Sequence, residues 1–363
     1  MAGRLPLSDF DFAFPEELVA SIPAEPRDSA RLMVLDRGGA ALCHAHFRDL
    51  PQFLKPGDCL VLNETKVIPC RLLGRKATGG KAELLLVREL AAGLWSALAT
   101  GLKAGMRLSF PGGAGAQVEG CNDDGEYLCR FDRADLPAYL AEHGHAPLPP
   151  YILKRKRAAE PGRRFRGAWP PSLRPGVPDA ADRDRYQTVY AAASGSIAAP
   201  TAGLHFTDRL LDELRGMGVR TAKVTLHVGR GTFRPVTVAD ARQHPMLPEH
   251  YRMPPDGAET VARTLRAGGR VVSVGTTSTR ALESLARQPG GFGPGEGWTS
   301  LYICPGHEFR AVTGLITNFH LPRSTPLFLA AAFAGRERLL AAYREAFRQR
   351  YRLYSYGDAM LVL

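Results

Sequence analysis

The segment that decides the fold class reads Arg270-Val271-Val272-Ser273-Val274-Gly275-Thr276-Thr277-Ser278-Thr279-Arg280. Its first five residues form a short, mostly apolar run, which predicts a buried strand. A helical pattern follows over residues 280–287, so a strand leads into a helix. The second half of the chain repeats this alternation, with a strand predicted at 220–226 and helices predicted at 210–217, 257–267 and 339–349. Such alternation predicts an α/β or α+β main domain.

Two apolar runs near the N-terminus are expected to join the same sheet. They occupy residues 31–36 and 59–63, and a Pro56-Gly57-Asp58 turn precedes the second run. Residues 15–19 begin on a proline and continue with two glutamates, which predicts a short helix.

The pattern changes between residues 68 and 149, where short apolar runs alternate with glycine-rich turns. This spacing predicts a small antiparallel β-barrel or sandwich inserted into the main domain, and we expect the barrel. Within it, the stretch from Gly112 to Gly115 is interpreted as a hairpin tip rather than a phosphate loop. The predicted division is a main domain at 1–67 and 186–363, a barrel domain at 68–149 and a connecting segment at 150–185.

The connecting segment is rich in proline and strongly basic, and it contains Lys154-Arg155-Lys156-Arg157. It has few apolar residues with which to build a core, so we expect a loop or linker. Such a segment can follow the phosphates of a nucleic acid, or it can be a charged insertion without a ligand. Both interpretations stay open at this stage.

The composition is that of a globular protein, with 45% hydrophobic residues among 363. The chain carries 47 Lys and Arg against 36 Asp and Glu, and the formal net charge of +11 favours a polyanionic partner. An unspecific basic surface would have the same charge. Six cysteines form no C-x-x-C pair, the first nine residues predict no signal peptide, and the longest apolar run, Leu327 to Ala334, is too short to span a bilayer.

Five segments rich in glycine, histidine, threonine and aromatic residues fall near strand ends, where α/β proteins place ligand sites. A core built from them would bury many polar groups that need partners. These segments are residues 186–190, 199–207, 226–233, 274–280 and 317–322.

Together with residues 26–32, 63–69 and 354–361, these segments resemble the S-adenosylmethionine:tRNA ribosyltransferase-isomerase family of queuosine biosynthesis over nearly the full length. The resemblance implies transfer and isomerisation of the ribosyl group of S-adenosylmethionine onto 7-aminomethyl-7-deazaguanine at the tRNA wobble position. The implied products are epoxyqueuosine tRNA, adenine and methionine. The implied partner is a tRNA with a GUN anticodon, and no cofactor is expected beyond the S-adenosylmethionine consumed. We expect a cytoplasmic monomer without membrane association.

Some positions depart from the family pattern. Leu247 and Thr313 stand where His and Asp are expected, whereas Glu64 and Lys66 keep the charge of the expected Asp and Arg. A catalytically silent tRNA-binding paralogue is therefore the alternative function, and a metal-dependent hydrolase is a third. The pairs His44 with His46 and His143 with His145 lack a third ligand cluster, so we interpret them as structural and expect no metal.

The reaction implied by the resemblance begins with removal of the proton on the ribose C5′, which the adjacent sulfonium acidifies. This step needs a base that works near neutral pH, and the unperturbed pKa of histidine, about 6.5, is suitable. The candidates are His205, His227 and His320, each of which can instead be a hydrogen-bonded structural residue. Asp358 is a fourth candidate catalytic residue, because its charge on an apolar tail needs solvent or a partner.

Gly275, Thr276 and Thr277 are expected to present N–H groups and hydroxyls to an anion, either the methionine carboxylate or a tRNA phosphate. A plain N-cap turn is the alternative. Aromatic faces can hold a sulfonium cation, although most large aromatic side chains are core residues. The predicted substrate-binding residues are Tyr186, Tyr190, Thr201, Phe206, Thr207, Gly229, Gly231, Thr232, Phe233, Gly275, Thr276, Thr277, Arg280, Asn318 and Tyr356.

For tRNA, the reacting base must leave its stack and be held by aromatic surfaces. Phosphate contacts would make the affinity depend strongly on salt. The predicted tRNA-binding residues are Arg71, Arg75 and Lys76 in the barrel and Lys154, Arg155, Lys156 and Arg157 in the connecting segment.

Overall fold

The computed structural model describes residues 4–39, 42–158, 180–229, 231 and 236–363. The chain forms two compact units. The first contains Met1–Lys66, Thr188–Ala193 and Ala199–Leu363, and the second contains Val67–Gln187 and Ser194–Ala198.

Strands and helices are numbered in chain order. The strands are β1 Arg31–Leu35, β2 Leu42–His46, β3 Cys59–Asn63, β4 Thr65–Val67, β5 Arg71–Lys76, β6 Lys81–Ala91, β7 Leu94–Leu98, β8 Arg107–Ser109, β9 Gly115–Cys121, β10 Tyr127–Phe131, β11 Ala193–Ser196, β12 Arg220–Leu226, β13 Glu249–Met253, β14 Val271–Val274, β15 Gly295–Thr299, β16 Gly314–Asn318 and β17 Ala359–Val362. The α-helices are α1 Leu136–His143, α2 Pro150–Ala158, α3 Ala180–Arg185, α4 Asp208–Gly216, α5 Pro255–Arg266, α6 Gly275–Leu285, α7 Thr325–Ala334 and α8 Arg336–Arg348.

In the first unit, nine of the described strands form a mixed sheet in the order β15-β13-β12-β3-β14-β16-β17-β1-β2. Four neighbours, β12, β3, β14 and β16, run parallel to one another. Strands β3, β14 and β16 are mostly apolar and fully buried, because both faces of a parallel sheet are covered, whereas β12 also contains polar residues in its first half. The core packed on one side joins Leu60 and Val272 to Leu210 and Leu214 of α4. The predicted α/β main domain is confirmed.

In the second unit, six strands close into a barrel in the order β10-β7-β6-β5-β8-β9, and every neighbouring pair is antiparallel. Its interior contains alternate residues such as Leu72, Leu84 and Val118, as the two-residue period of a strand requires. Gly74 has no room for a side chain, since a Cβ there would lie 2.4 Å from the Ser109 carbonyl oxygen. The predicted small β-barrel is confirmed.

The structure corrects three local predictions. The segment 15–19 forms only a 3₁₀ turn at Glu16–Leu18. The connecting segment begins and ends in helices, α2 and α3, because its ends contain good helix formers; residues 159–179 lie outside the described part. Helix α6 begins at Gly275 instead of residue 280, since the positive φ of 89° at Gly275 lets the chain turn directly from strand to helix.

Helix α7 contains the longest apolar run and is buried over most of its length. Within the described ranges, no helix is both long and apolar enough to cross a membrane.

Candidate active site

One edge of the mixed sheet collects most of the predicted ligand segments. The parallel strands β3, β12, β14 and β16 all have their carboxyl ends there. Residues 227–229 follow β12 and residues 275–280 follow β14, while residues 318–320 are the last residue of β16 and the two after it. Strand β17 runs antiparallel to β16 with Ala359 opposite Asn318, so the residues just before β17 reach the same edge. Their clustering follows from the topology, because parallel neighbours present their carboxyl ends together.

His227 is a partly buried candidate base at this edge of the sheet. Its Nδ1 lies 2.8 Å from the Thr65 hydroxyl, and its ring stacks on His250 with centroids 6.0 Å apart. Burial and the nearby His250 lower the pKa of His227, so its imidazole is neutral at neutral pH. Its Nε2 has no hydrogen-bond partner among the residues that the structure describes. A half-buried neutral imidazole with one unused nitrogen can accept a proton.

Asn63, at the end of β3, ties His227 to helix α6. Its buried amide donates to the Leu226 carbonyl and to the Thr277 hydroxyl, both at 3.0 Å. Its oxygen accepts the N–H groups of Leu226 and Thr65. One fully satisfied amide therefore fixes the strand end before His227, the hydroxyl partner of His227 and the first turn of α6.

The start of α6 faces a pocket. Thr276 and Thr277 line it together with Tyr302 and with Thr325 at the start of α7. The residues preceding the two helices, Val274 and Ser324, make no side-chain cap hydrogen bond. Helix α6 begins at Gly275, so neither Thr277 nor Ser278 is its N-cap residue. The N-terminus of α6 favours an anion in this pocket, whereas in α7 Pro326 has no N–H and the Leu327 N–H already donates to the Ser324 carbonyl.

Arg280 also lines the pocket, but its charge is already matched. Its guanidinium forms an ion pair with Glu249 and donates to the carbonyls of Leu301, at 3.0 Å, and Thr299, at 3.2 Å. Glu249 in turn accepts the Gly229 N–H at 2.8 Å. Arg280 is therefore a fixed wall of the pocket instead of a free cation for an anionic ligand.

His205 is buried and held by Asn318. The Asn318 amide lies 3.1 Å from Nε2 of His205, and the Thr201 hydroxyl donates to the Asn318 oxygen at 3.1 Å. Burial, with smaller effects of Arg352 and Arg27, lowers the pKa of His205 to about 3. Since its accepting nitrogen is occupied, His205 acts here as part of a hydrogen-bonded scaffold.

His320 has a similar environment. Its Nε2 lies 2.6 Å from the Thr317 hydroxyl, and its backbone N–H donates to the Tyr343 hydroxyl at 2.6 Å. Burial lowers the pKa of His320 to about 3. It is therefore less suited than His227 to a proton transfer near neutral pH.

The structure gives Asp358 a structural role. Its carboxylate is 2% exposed and accepts the backbone N–H groups of Arg31, at 3.0 Å, and Arg352, at 2.7 Å. The Arg31 side chain also pairs with it. A carboxylate with these partners anchors the tail to β1, so its catalytic assignment is not carried forward.

The other predicted substrate-binding residues lie in the first unit, in the second unit or outside the described residues. The Tyr190 hydroxyl is buried without a partner in the described structure, and a Cβ on Gly203 would lie 2.0 Å from it. Phe206 and Tyr356 are buried, and the Thr207 hydroxyl caps α4 by accepting the Leu210 N–H. A Cβ on Gly231 would lie 3.3 Å from Leu247. Tyr186 belongs to the second unit, and Thr232 and Phe233 lie outside the described residues.

The predicted tRNA contacts also differ in exposure. Arg71 is 4% exposed and pairs with Glu83 at 2.5 Å, so it presents no surface to RNA. Arg75 is exposed and Lys76 is partly exposed. Lys154 is exposed on α2, whereas the side chains of Arg155, Lys156 and Arg157 lie outside the described part.

Sequence reasoning missed several residues of this edge: Asn63, Thr65, Glu249, His250 and Trp298. Trp298 is 63% exposed and packs edge-on against His250, with ring centroids 5.4 Å apart. A large exposed aromatic side chain on an edge strand is a signal for binding, but only the sheet order places it beside His250.

Comparisons with known proteins agree over the whole chain. A family model described as queuosine biosynthesis protein matches residues 7–362. The S-adenosylmethionine:tRNA ribosyltransferase-isomerase of Anaeromyxobacter sp. (strain K) is 51% identical over 98% of this chain and 99% of that protein. The protein of the same name from Thermus thermophilus is 50% identical over 98% of this chain and 99% of that protein. The crystal structure of S-adenosylmethionine tRNA ribosyltransferase from Thermotoga maritima matches with a TM-score of 0.53 at 35% identity, covering 98% of this chain and 100% of that one.

Proposed function

The chain belongs to the queuosine biosynthesis protein family, and we infer that it is an S-adenosylmethionine:tRNA ribosyltransferase-isomerase. In detail, we propose that it transfers the ribosyl group onto 7-aminomethyl-7-deazaguanine at the wobble position of a tRNA with a GUN anticodon. Isomerisation to the epoxycyclopentane then yields epoxyqueuosine tRNA, with adenine and methionine released. We propose further that it works as a cytoplasmic monomer and needs no cofactor besides the S-adenosylmethionine that it consumes.

The observation that carries the assignment of residues is the position of His227 beside the pocket at the start of α6. Asn63 bonds both to the strand end before His227 and to Thr277, which lines the pocket. We propose that Nε2 of His227 takes the C5′ proton of the ribosyl group. His205 is buried and His320 is partly buried, and the pKa of each is lowered to about 3.

The pocket suits the methionine carboxylate of S-adenosylmethionine. Helix α6 begins there without a side-chain cap, and its first N–H groups favour a negative charge. The Tyr302 hydroxyl is buried without a partner in the described residues and can donate to the same anion. Arg280 forms part of the pocket wall but does not attract the anion, because Glu249 already neutralises its charge.

For the tRNA, we propose that Trp298 offers a face on which a base of the anticodon loop stacks. It is highly exposed, and the ring series Trp298, His250 and His227 leads from the surface to the candidate base. Stacking on an exposed aromatic ring is a common way to hold an unstacked base. The net charge of +11 and the exposed Arg75 suit the phosphate backbone.

The two departures from the family pattern do not favour a silent paralogue. Thr313 lies where the parallel strands begin, at the end of the strands opposite to the candidate site. Its hydroxyl accepts the N–H of Val271, the first residue of β14, at 2.8 Å. It thereby performs a hydrogen-bonding role that an Asp carboxylate can also perform. Leu247 lies close to Gly231, since a Cβ built on Gly231 would be 3.3 Å from it.

The test is to incubate the protein with S-adenosylmethionine and with tRNA that carries the aminomethyl-deazaguanine base. Liquid chromatography should detect adenine, and mass spectrometry of the digested tRNA should detect the epoxycyclopentane nucleoside. A tRNA with unmodified guanine at the wobble position is the matched control and should yield neither product. Tight tRNA binding without adenine would contradict the proposed function and support the silent paralogue.

A further inference from the structure

Glu249 connects two parts of the candidate site without belonging to either. It is the first residue of β13, and its side chain is 2% exposed. One carboxylate oxygen accepts the Gly229 N–H at 2.8 Å, and the other accepts from Arg280. Gly229 lies two residues after His227, and Arg280 lines the pocket. One side chain therefore spans from the segment after the candidate base to the pocket wall.

The arrangement is rigid because each of its two buried charges needs its partner. Arg280 and Glu249 are both more than nine-tenths buried, and a buried charge without its partner is very unfavourable. Two further guanidinium donors bond to the carbonyls of Leu301 and Thr299. The carboxylate therefore has one stable position, and the Gly229 amide is held relative to the pocket wall formed by Arg280 and Leu301.

We propose that Glu249 is a positioning residue for the ribosyl transfer. It holds the segment after His227 at a fixed distance from the pocket that takes S-adenosylmethionine, so that the base meets the C5′ proton. This inference rests on the proposed function of the site. Glu249 is not the base itself, because it is buried and both of its oxygens accept hydrogen bonds. A displacement of about 1 Å in a reacting pair costs on the order of 100-fold in rate, so the effect is measurable.

Two double variants separate positioning from stability. Glu249→Leu with Arg280→Met removes the ion pair and also the acceptor of the Gly229 N–H. Glu249→Gln with Arg280→Met removes the ion pair but keeps an amide oxygen for that N–H. Replacement of a buried ion pair by apolar residues is often tolerated, so we expect the leucine variant to fold. Thermal unfolding of both variants is the control, and it also shows whether the glutamine variant, which keeps a buried amide, is folded.

We expect the leucine variant to lose about 100-fold in kcat for adenine release, with the tRNA Kd changed less than about twofold. The glutamine variant should recover at least about tenfold of that loss, since it keeps the Gly229 hydrogen bond. Equal kcat values for two folded variants would overturn the proposal, because the Gly229 hydrogen bond would then be irrelevant to the reaction.

Hydrogen exchange at the Gly229 amide gives a second readout that does not depend on turnover. The exchange should accelerate in the leucine variant and stay near the wild-type rate in the glutamine variant. If the wild-type protein released no adenine, the proposed function would fail, and this exchange would still decide whether Glu249 holds the segment. Unchanged exchange in the leucine variant would overturn the positioning role by itself.

Discussion

Three histidines of similar sequence context have different chemistry in the folded protein. His205 is buried, His320 and His227 are partly buried, and each ring has one nitrogen with a described hydrogen-bond partner, but burial lowers the pKa of His205 and of His320 to about 3, a larger shift than that of His227. The sequence identified all three as candidates, because each lies in a polar segment at a strand end. Only the burial and the electrostatic surroundings of each ring in the folded protein distinguish the three histidines.

Replacement of His227 by Gln should abolish most of the activity. We expect adenine release to fall by about 100-fold or more, since general base catalysis contributes on this scale. The tRNA Kd, measured by filter binding, should stay within about twofold of the wild-type value. His46→Gln, on the partly exposed β2, is the matched control and should keep full turnover. Full turnover in the His227 variant would remove it from the site.

The pH profile gives a finer test of the same residue. Burial, and secondly the charge of His250, lower the pKa of His227 from 6.5. A base must be unprotonated, so activity should fall only as the pH drops below 6.5. His250→Gln removes the second cause, and the pKa of His227 should rise part of the way back. The acid limb of kcat should therefore move to higher pH, and an unmoved limb would mean that another group titrates.

At the scale of elements, the two ends of helix α6 have different roles: its start lines the candidate site, and its end stabilises the fold. Its first turn faces the pocket, whereas Glu283 near its end is fully buried. The Glu283 carboxylate accepts the backbone N–H groups of Arg310, Ala311 and Val312 and also pairs with Arg287. One carboxylate thus holds the loop before β16 against the helix.

Glu283→Ala should lower the free energy of unfolding by about 3–5 kcal/mol, because it leaves buried donors without an acceptor. Glu308→Ala, at an exposed position in the same loop, should change it by less than about 0.5 kcal/mol. Urea unfolding at pH 7 measures both values. A change of less than about 1 kcal/mol in the Glu283 variant would contradict this structural role.

The free energy of unfolding that Glu283→Ala removes should also depend on pH. Burial alone raises the pKa of Glu283, but hydrogen bonds from His307, Ala311, Arg287 and Arg310 outweigh it and lower the pKa to about 2. A lowered pKa stabilises the fold above the ordinary value of 4.5, and this stabilisation is lost as the pH falls towards 2. The difference between the wild type and Glu283→Ala should therefore be smaller at pH 3 than at pH 7.

At the scale of the whole molecule, the basic surface predicts a salt-dependent affinity for tRNA. Arg75→Gln with Lys76→Gln should reduce the slope of log Kd against log salt by about 0.7 for each phosphate that the two side chains neutralise. Arg215→Gln with Arg266→Gln removes the same net charge from exposed positions on α4 and α5 and is the matched control. Equal slopes for the two double variants would show that the barrel residues make no specific phosphate contact.

The amino-acid sequence alone determined the α/β main domain, the inserted barrel and the family. Each of these follows from local patterns: the alternation of strands and helices, the short runs with glycine turns, and long segments of unusual composition. The sequence also predicted that polar segments would lie at strand ends. The parallel order of β12, β3, β14 and β16 then explained why they meet at one edge.

Only the tertiary structure decided which of these residues are available for chemistry. Asp358 pairs with Arg31, 327 positions away, and Glu249 pairs with Arg280, 31 positions away. The burial that lowers the pKa of His205 and His227, and the hydrogen-bond partners of their rings, also come from remote segments. A sequence pattern records the residue type and its neighbours along the chain, but the free energy of a charge depends on neighbours in space. The division between candidate base and scaffold therefore appears only when the sheet is assembled.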